Sequence, residues 1–170
     1  LTRMIEIAFK DAGELTKQGV APDSSAPASI TELPAFSLSD LAGKTIDARS
    51  LQGKVTVVEF WAEWCPPCRS TLAWLAETHR KLGDSVNVLG IAVESEEANI
   101  RAMAQTMSLP YPIAMGSPEV ALLFGDIVSV PTLFVFDRKG RTVNVFYGAP
   151  PDLHEQVASA IAAACSRASV

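Results

Sequence analysis

The chain has 170 residues and a formal net charge of -5, with 48% hydrophobic and 19% charged residues. This composition suits one folded domain with a sizeable core and excludes a largely disordered chain. Because no basic cluster is present to neutralise phosphates, it also argues against nucleic-acid binding. No apolar run approaches the roughly 18 residues that a membrane span needs, so we expect no membrane contact within the chain.

The first 34 residues are predicted to form a separate segment. Apolar residues recur at helical spacing over residues 4–17, which predicts a short amphipathic helix. The composition shifts to alanine, proline and serine over residues 20–34, which indicates an extended linker or a strand along the domain surface. The chain begins without a recognisable secretion signal, so we expect either a cytoplasmic protein or an export signal or anchor upstream. The folded domain is predicted to span residues 35–170.

Strands and helices alternate through this domain. A hairpin is predicted over residues 36–48 from its alternation and turn residues. Strands are predicted at residues 55–60, 86–93, near 113, 132–136 and 141–147, and helices at residues 66–82, 95–107, 118–124 and 151–166. Ser95 is the expected N-cap of the second of these helices. Such alternation favours a largely parallel sheet with right-handed crossovers, with a hairpin in the tail adding an antiparallel edge.

Two cysteines three positions apart lie where the first buried strand gives way to a helix. A helix start offers unpaired N–H groups and the positive end of the dipole, both of which favour a thiolate. Cys65 is therefore the candidate nucleophile, and Cys68, one turn further on, can resolve a mixed disulfide. Pro66 and Pro67 are tolerated at the first helical positions and stiffen the loop.

A structural disulfide or half of a zinc site is the alternative interpretation of this pair. A structural zinc ion needs four ligands, yet His79 and His154 are isolated in sequence and Cys165 stands alone. We therefore expect a redox-active pair with no metal and no cofactor. Cys165 is expected to be a buried and inert thiol in the last helix.

Glu59 interrupts an otherwise apolar strand. A buried carboxyl group has a raised pKa and becomes a usable proton carrier near neutral pH. We therefore expect Glu59 to lie behind Cys68 and to accept its proton, through water, as Cys68 attacks the mixed disulfide.

Several motifs together resemble the thioredoxin-fold thiol-disulfide oxidoreductases over about residues 35–165. They are the block WAEWCPPC, Glu59 six residues before Cys65, the sequence VPT at residues 130–132 and DRKG before the final hairpin strand. The leading hairpin and the extra strand–helix unit between about residues 88 and 124 resemble the TlpA-like and ResA-like branch, which is related to the AhpC/TSA peroxidases. The resemblance implies a mixed, mostly parallel sheet flanked by helices.

The resemblance also implies an activity and a substrate site. The implied activity is the reduction of disulfides in cysteine-containing partner proteins, with an upstream electron donor, in an extracytoplasmic setting such as cytochrome c maturation or disulfide control. A monomer is expected. Pro131 is the implied cis-proline beside Cys65, and the Val130 backbone is expected to pair with an extended substrate strand. The implied substrate-binding residues are Trp64, Pro66, Pro67, Val130 and Pro131.

Three positions depart from the patterns of related proteins. The peroxidases carry Thr three residues before the reactive cysteine, where this chain has Ala62. Several TlpA-like proteins have Glu where this chain has Thr71, and Asn where it has Glu59, a position that is acidic in thioredoxin. The alternative functions are a thiol-dependent peroxidase and a non-enzymatic metal or copper chaperone.

Overall fold

The computed structural model describes residues 30–167. The helix predicted over residues 4–17 and most of the linker predicted over residues 20–34 lie outside the described residues. The strands are β1 (Ser37–Ser39), β2 (Thr45–Asp47), β3 (Val55–Trp61), β4 (Val86–Ala92), β5 (Ile113–Met115), β6 (Thr132–Phe136) and β7 (Thr142–Tyr147). The α-helices are α1 (Pro66–Leu82), α2 (Glu97–Thr106), α3 (Pro118–Leu123) and α4 (Leu153–Ser166).

The predicted fold is confirmed: a central sheet is flanked by helices, and β1 and β2 form a separate hairpin. The strand order in the sheet is β5-β4-β3-β6-β7. Strands β3, β4 and β5 run parallel, β6 runs antiparallel to β3, and β7 reverses again. Within this five-stranded sheet all strands except β6 therefore point the same way, and the β6–β7 hairpin occupies one edge. None of the helices in residues 30–167 is long and apolar enough to span a bilayer.

Strand β3 is central, and all seven of its residues are buried. One face carries Phe60, whose ring lies 5.0 Å from that of Phe124 and 5.9 Å from that of Phe134, measured between centroids. The other face carries Glu59, opposite Gly90 in the neighbouring strand. A continuous apolar run is what a strand covered on both faces requires.

Helix α1 has the predicted bounds because its capping residues and the spacing of its apolar residues indicate the same start and end. Cys65 is the N-cap residue, and the two following prolines occupy the first helical positions. Gly83 ends the helix with a φ of 55°, a conformation that glycine adopts at little cost. The buried face recurs at helical spacing and consists of Cys68, Thr71, Leu72, Leu75 and Ala76. The first of these positions carries the second cysteine into the interior.

The prediction for Ser95 was wrong. Helix α2 begins at Glu97, its N-cap is Glu96, and no side chain caps it. The Ser95 hydroxyl instead accepts a hydrogen bond from the Glu63 N–H at 3.0 Å and donates one to the Val93 carbonyl at 2.9 Å. A tertiary partner, which sequence spacing does not reveal, has taken the place of the local cap.

Candidate functional site

The strand-to-helix junction holds a disulfide between Cys65 and Cys68, whose Cα atoms lie 5.3 Å apart. The Cys68 N–H donates to Cys65 Sγ at 3.3 Å and to the Cys65 carbonyl at 3.1 Å. Cys65 retains 4% exposure, whereas Cys68 is fully buried. A partner thiol or disulfide approaching from solvent therefore meets Cys65 first. Pro66 and Pro67 are exposed beside it.

The loop before β6 lies against the first cysteine. Cys65 Sγ is 3.7 Å from the carbonyl oxygen of Val130, and the Val130–Pro131 peptide bond is cis. The Pro131 carbonyl accepts a hydrogen bond from the Gly148 N–H at 2.9 Å, and the Thr132 hydroxyl donates to the Ser129 carbonyl at 2.8 Å. Hydrogen bonds to the residue after β7 and within the loop thus hold this segment beside the sulfur.

The Glu59 side chain is enclosed in the core. It is fully buried, and within residues 30–167 neither carboxylate oxygen has a hydrogen-bond partner. Loss of hydration disfavours the charged form, so burial raises the pKa of Glu59 well above its usual range. This environment is the one predicted from the apolar strand, and it makes Glu59 a group that binds a proton under conditions where exposed carboxyl groups do not.

Gly90, Trp61 and Tyr111 lie close together on the Glu59 side of β3. Gly90 lies opposite Glu59, and a Cβ atom there would stand 3.1 Å from Trp61 Nε1 and 3.6 Å from the Tyr111 ring. The Tyr111 hydroxyl donates to the Leu72 carbonyl of α1 at 3.2 Å. Burial, and then the negative charge of Glu59, raise the pKa of Tyr111, while Arg80 opposes the shift.

Sequence reasoning missed Tyr111, because it lies in a Leu-Pro-Tyr-Pro break that signals only a turn. Trp61 Nε1 is also buried without a partner in the described part of the chain. An unpaired indole N–H and an unpaired carboxyl group therefore lie on the same face of β3, two residues apart.

Trp64 directly precedes the disulfide in the chain. Its side chain is 41% exposed, and its Nε1 donates to the Glu94 carbonyl at 3.1 Å. The preceding residue, Glu63, is bonded to Ser95 as described above and accepts at its carbonyl from Arg69 at 3.4 Å. The segment after β4 thus braces the active-site loop, a contact that the sequence did not indicate.

The remaining candidate residues are not brought together. Trp74 stacks on His154 at 4.9 Å, whereas His79 packs edge-on against Tyr111. Cys165 is a free thiol in α4 and is half-buried, so the prediction of a buried thiol was wrong. Within residues 30–167 no group of three or more His, Cys, Asp or Glu side chains is placed to hold a metal ion.

Thr71, which stands where several TlpA-like proteins have Glu, is buried and donates to the Pro67 carbonyl at 3.2 Å. This position therefore supplies a structural hydrogen bond to the first turn of α1, and it brings no second carboxylate to the site.

Comparison with known proteins gives a consistent picture. The family model described as AhpC/TSA family matches residues 31–145. Thioredoxin-like protein YneN of Bacillus subtilis is 28% identical over 120 residues, which cover 69% of this chain and 70% of that protein. Thiol-disulfide oxidoreductase ResA of Bacillus cereus is 26% identical over 118 residues, covering 69% and 68%.

A solved structure agrees with these relatives. A thioredoxin-family thiol:disulfide interchange protein from Chlorobium tepidum superposes with a TM-score of 0.73 and 31% identity, over 83% of this chain and 100% of that one.

Proposed function

The chain belongs to the AhpC/TSA family and is a thiol-disulfide oxidoreductase, and we propose that it reduces disulfides of partner proteins through the Cys65–Cys68 pair. The observation that carries the proposal is the position of this pair. Cys65, at the start of a helix and beside the Val130 carbonyl, retains 4% exposure, whereas Cys68 next to it is fully buried.

The reduced pair transfers two electrons in two exchange steps. The Cys65 thiolate attacks one sulfur of the substrate disulfide, so that a Cys65–substrate disulfide forms and the other substrate sulfur leaves as a thiolate. The Cys68 sulfur then attacks Cys65 Sγ, which releases the second substrate thiolate and closes the Cys65–Cys68 disulfide. A donor dithiol reverses these steps and restores the enzyme.

Glu59 is the proposed proton acceptor for Cys68 in the second step. Its carboxyl group is fully buried and has no partner among the described residues. A carboxyl group with a raised pKa is closer in pKa to a thiol than an exposed carboxyl group is. It is therefore the better proton acceptor for a thiol near neutral pH. The proton reaches Glu59 through water and leaves the site when the pair is reduced again.

The substrate is proposed to lie across the exposed prolines and Trp64. An extended segment would pair with the backbone of Val130, next to the cis-proline Pro131. Both of these loop residues are buried, and the proposed contact is made through their main-chain atoms.

An extracytoplasmic site of action, with cytochrome c maturation or disulfide control as its context, belongs to the same proposal. It is supported by the resemblance to the ResA-like branch. The electron donor is proposed to be a second dithiol protein, and the chain is proposed to act as a monomer.

Trapping of the intermediate tests the mechanism. The Cys68→Ala variant is expected to accumulate a covalent Cys65–substrate disulfide with a disulfide-bonded protein, because no internal thiol remains to release it. The Cys65→Ala variant is expected to form none, since Cys68 is fully buried. Mass spectrometry of the alkylated, non-reduced products measures both results. Equal trapping by the two variants would contradict the assignment of roles.

The direction of electron flow is measured separately. Equilibration of the full chain with glutathione gives the potential of the Cys65–Cys68 pair. A value close to that of thioredoxin, about -270 mV, supports the reductase, whereas one near about -120 mV would overturn it.

A further inference from the structure

A groove of about 360 Å³ opens beside Cys65. Trp64, which precedes Cys65 in the chain, and Val130, whose carbonyl faces its sulfur, both line it. The groove then runs away from the disulfide towards α3 and the loop that follows it. It is therefore continuous with the place where a substrate disulfide would react.

The floor and walls of the groove are mainly apolar and unusually exposed. Trp64 is 41% exposed, Leu122 65% and Val128 52%. Val93 and Ile127 add further apolar surface. Apolar side chains that are gathered and left open to water, with polar groups at their margin, are typical of interaction sites.

The charged residues that line this groove are both acidic. Glu94 and Asp126 line it, and no lysine or arginine does so among the described residues. Both acids adopt the left-handed backbone region, with φ of 46° and 67°, which residues other than glycine adopt infrequently. At Glu94 the carbonyl also accepts the hydrogen bond from Trp64 Nε1, which ties an acidic position to the wall of the groove.

We propose that the groove binds an extended segment of the substrate protein adjoining its reactive cysteine, and that it selects segments carrying a large aliphatic residue and a lysine or arginine. This inference rests on the proposed function and narrows its substrate class. The aliphatic side chain would cover Leu122 and Val128. A lysine or arginine can lay its apolar stem along the same surface while its charge meets the two acids.

Synthetic peptides with one internal disulfide test the preference. The four peptides have equal length and differ only at the two residues beside the first cysteine. These residues are Leu and Lys in the first peptide, Leu and Glu in the second, Ser and Lys in the third, and Ser and Glu in the fourth. The reduced full chain attacks each peptide disulfide with Cys65, Cys68 resolves, and two peptide thiols are released for each protein disulfide formed. The second-order rate constant is followed by quenching, alkylation and mass spectrometry. A small aromatic disulfide, which carries no flanking segment, reports the basal exchange.

The Leu-Lys peptide is expected to react roughly tenfold faster than the Leu-Glu peptide at low ionic strength, because each rim charge contributes up to about a factor of five. The difference is expected to shrink at about 1 M salt, where the screening length falls to about 3 Å. The Leu-Lys peptide is also expected to exceed the Ser-Lys peptide by several-fold.

Paired variants locate the effect. Glu94→Gln with Asp126→Asn is expected to reduce the Lys-over-Glu preference to less than about threefold. Glu77→Gln with Glu155→Gln changes the net charge equally, at exposed positions outside the groove lining, and is expected to keep the preference. For the apolar part, Leu122→Ala is expected to lose the preference for Leu over Ser. The control is Leu123→Ala, an exposed neighbour that does not line the groove.

The proposed function and the groove proposal can fail independently of each other. If the small disulfide is not reduced by the unaltered chain, the proposed function is wrong. If it is reduced but all four peptides react equally, or if both charge variants alter the preference alike, the groove proposal is wrong. A photo-cross-linker at Val128 that captures residues 1–29 of the same chain or a second copy, in place of the Leu-Lys peptide, would also overturn it.

Discussion

Glu59 is the residue whose environment departs furthest from that of an ordinary side chain of its type. It is a carboxyl group with no described partner on a strand with no exposed residue. An unpaired charge there is unfavourable, so the protonated form of Glu59 persists to a higher pH than that of an exposed carboxyl group. A position that weakens the fold at higher pH is consistent with a chemical role, since strain and unpaired groups are retained at functional sites.

Replacing Glu59 with Gln is expected to stabilise the oxidised protein increasingly as pH rises. The folded pKa is raised above the unfolded value of about 4.3, so the favourable contribution of protonated Glu59 is complete below that pH. It is lost progressively as pH rises through the folded pKa. The variant's gain in unfolding free energy should therefore grow by up to about 1.4 kcal/mol per pH unit across that interval.

Urea unfolding from about pH 5 to pH 8 measures this gain. Glu77→Gln, at an exposed position of α1, serves as the control and should show no such growth. A constant difference between Glu59→Gln and the unaltered chain over this range would contradict the expectation. The same variant should also slow the resolution step, seen as a longer-lived Cys65–substrate disulfide.

At the scale of elements, the active-site loop depends on a neighbour distant in sequence. Glu63 and Trp64 are bonded to Ser95 and Glu94, which follow β4. The Glu96 N–H also donates to Glu63 Oε1 at 3.4 Å. Because β3 and β4 are parallel and adjacent, their carboxyl ends meet at the same sheet edge. The loop that carries Cys65 is therefore oriented by the loop after the neighbouring strand.

The Ser95→Ala variant is expected to lower the unfolding free energy by about 1 kcal/mol or somewhat more, because the Glu63 N–H loses its acceptor. It should also change the orientation of Trp64, which is visible as an altered tryptophan fluorescence spectrum of the oxidised chain. Ser70→Ala, at an exposed position of α1, is the matched control. A variant with unchanged stability and spectrum would show that Ser95 does not brace the loop.

The elements themselves could be predicted from sequence, because local signals and tertiary packing agree in them. Helix α1 has its capping cysteine, its prolines and its terminal glycine in order, and the apolar run of β3 requires a central position. Ser95 shows where this reasoning stops, since a serine before acidic residues suits a cap, while its actual partner lies 32 positions away. The positions of Tyr111, Glu94 and Asp126 likewise depend on which loops meet at the sheet edge. No local sequence pattern predicts which loops meet.

At the scale of the whole molecule, the β6–β7 turn joins the two ends of the described chain. Residues near its start pair with the turn, through the Leu33 N–H to the Gly140 carbonyl at 2.7 Å and the Thr142 N–H to the Thr31 carbonyl at 2.8 Å. The end of α4 contacts it as well, since Arg138 donates to the Cys165 carbonyl at 3.0 Å. This junction lies on the hairpin at the sheet edge and ties α4 to it.

Asp137 is the buried centre of that junction. Its Oδ2 lies 2.8 Å from Arg141 Nε and 3.2 Å from Arg167 Nη1. Its Oδ1 accepts from the backbone N–H groups of Lys139 and Arg141, both at 3.0 Å. Burial acts to raise the pKa of Asp137, but the hydrogen bonds from Arg141, Arg167 and Lys139 outweigh it and hold the pKa below its usual range. The carboxylate is therefore stabilised in its charged form.

Asp137→Asn is expected to lower the unfolding free energy by about 1–2 kcal/mol at neutral pH. The expected loss is modest because the side chains of both arginines are about half exposed, which weakens each ion pair. Because the pKa of Asp137 is lower in the folded chain than in the unfolded chain, its carboxylate stabilises the fold above the unfolded pKa of about 3.9. This stabilisation is lost as the pH falls through the folded pKa. The difference between the two proteins should therefore be constant from about pH 5 to pH 8 and should shrink below about pH 4.

Asp84→Asn, at an exposed position, controls for the loss of one charge, and urea unfolding supplies the measurement. A difference that persisted undiminished at the lowest pH would show that the aspartate acts there through its shape and not through its charge.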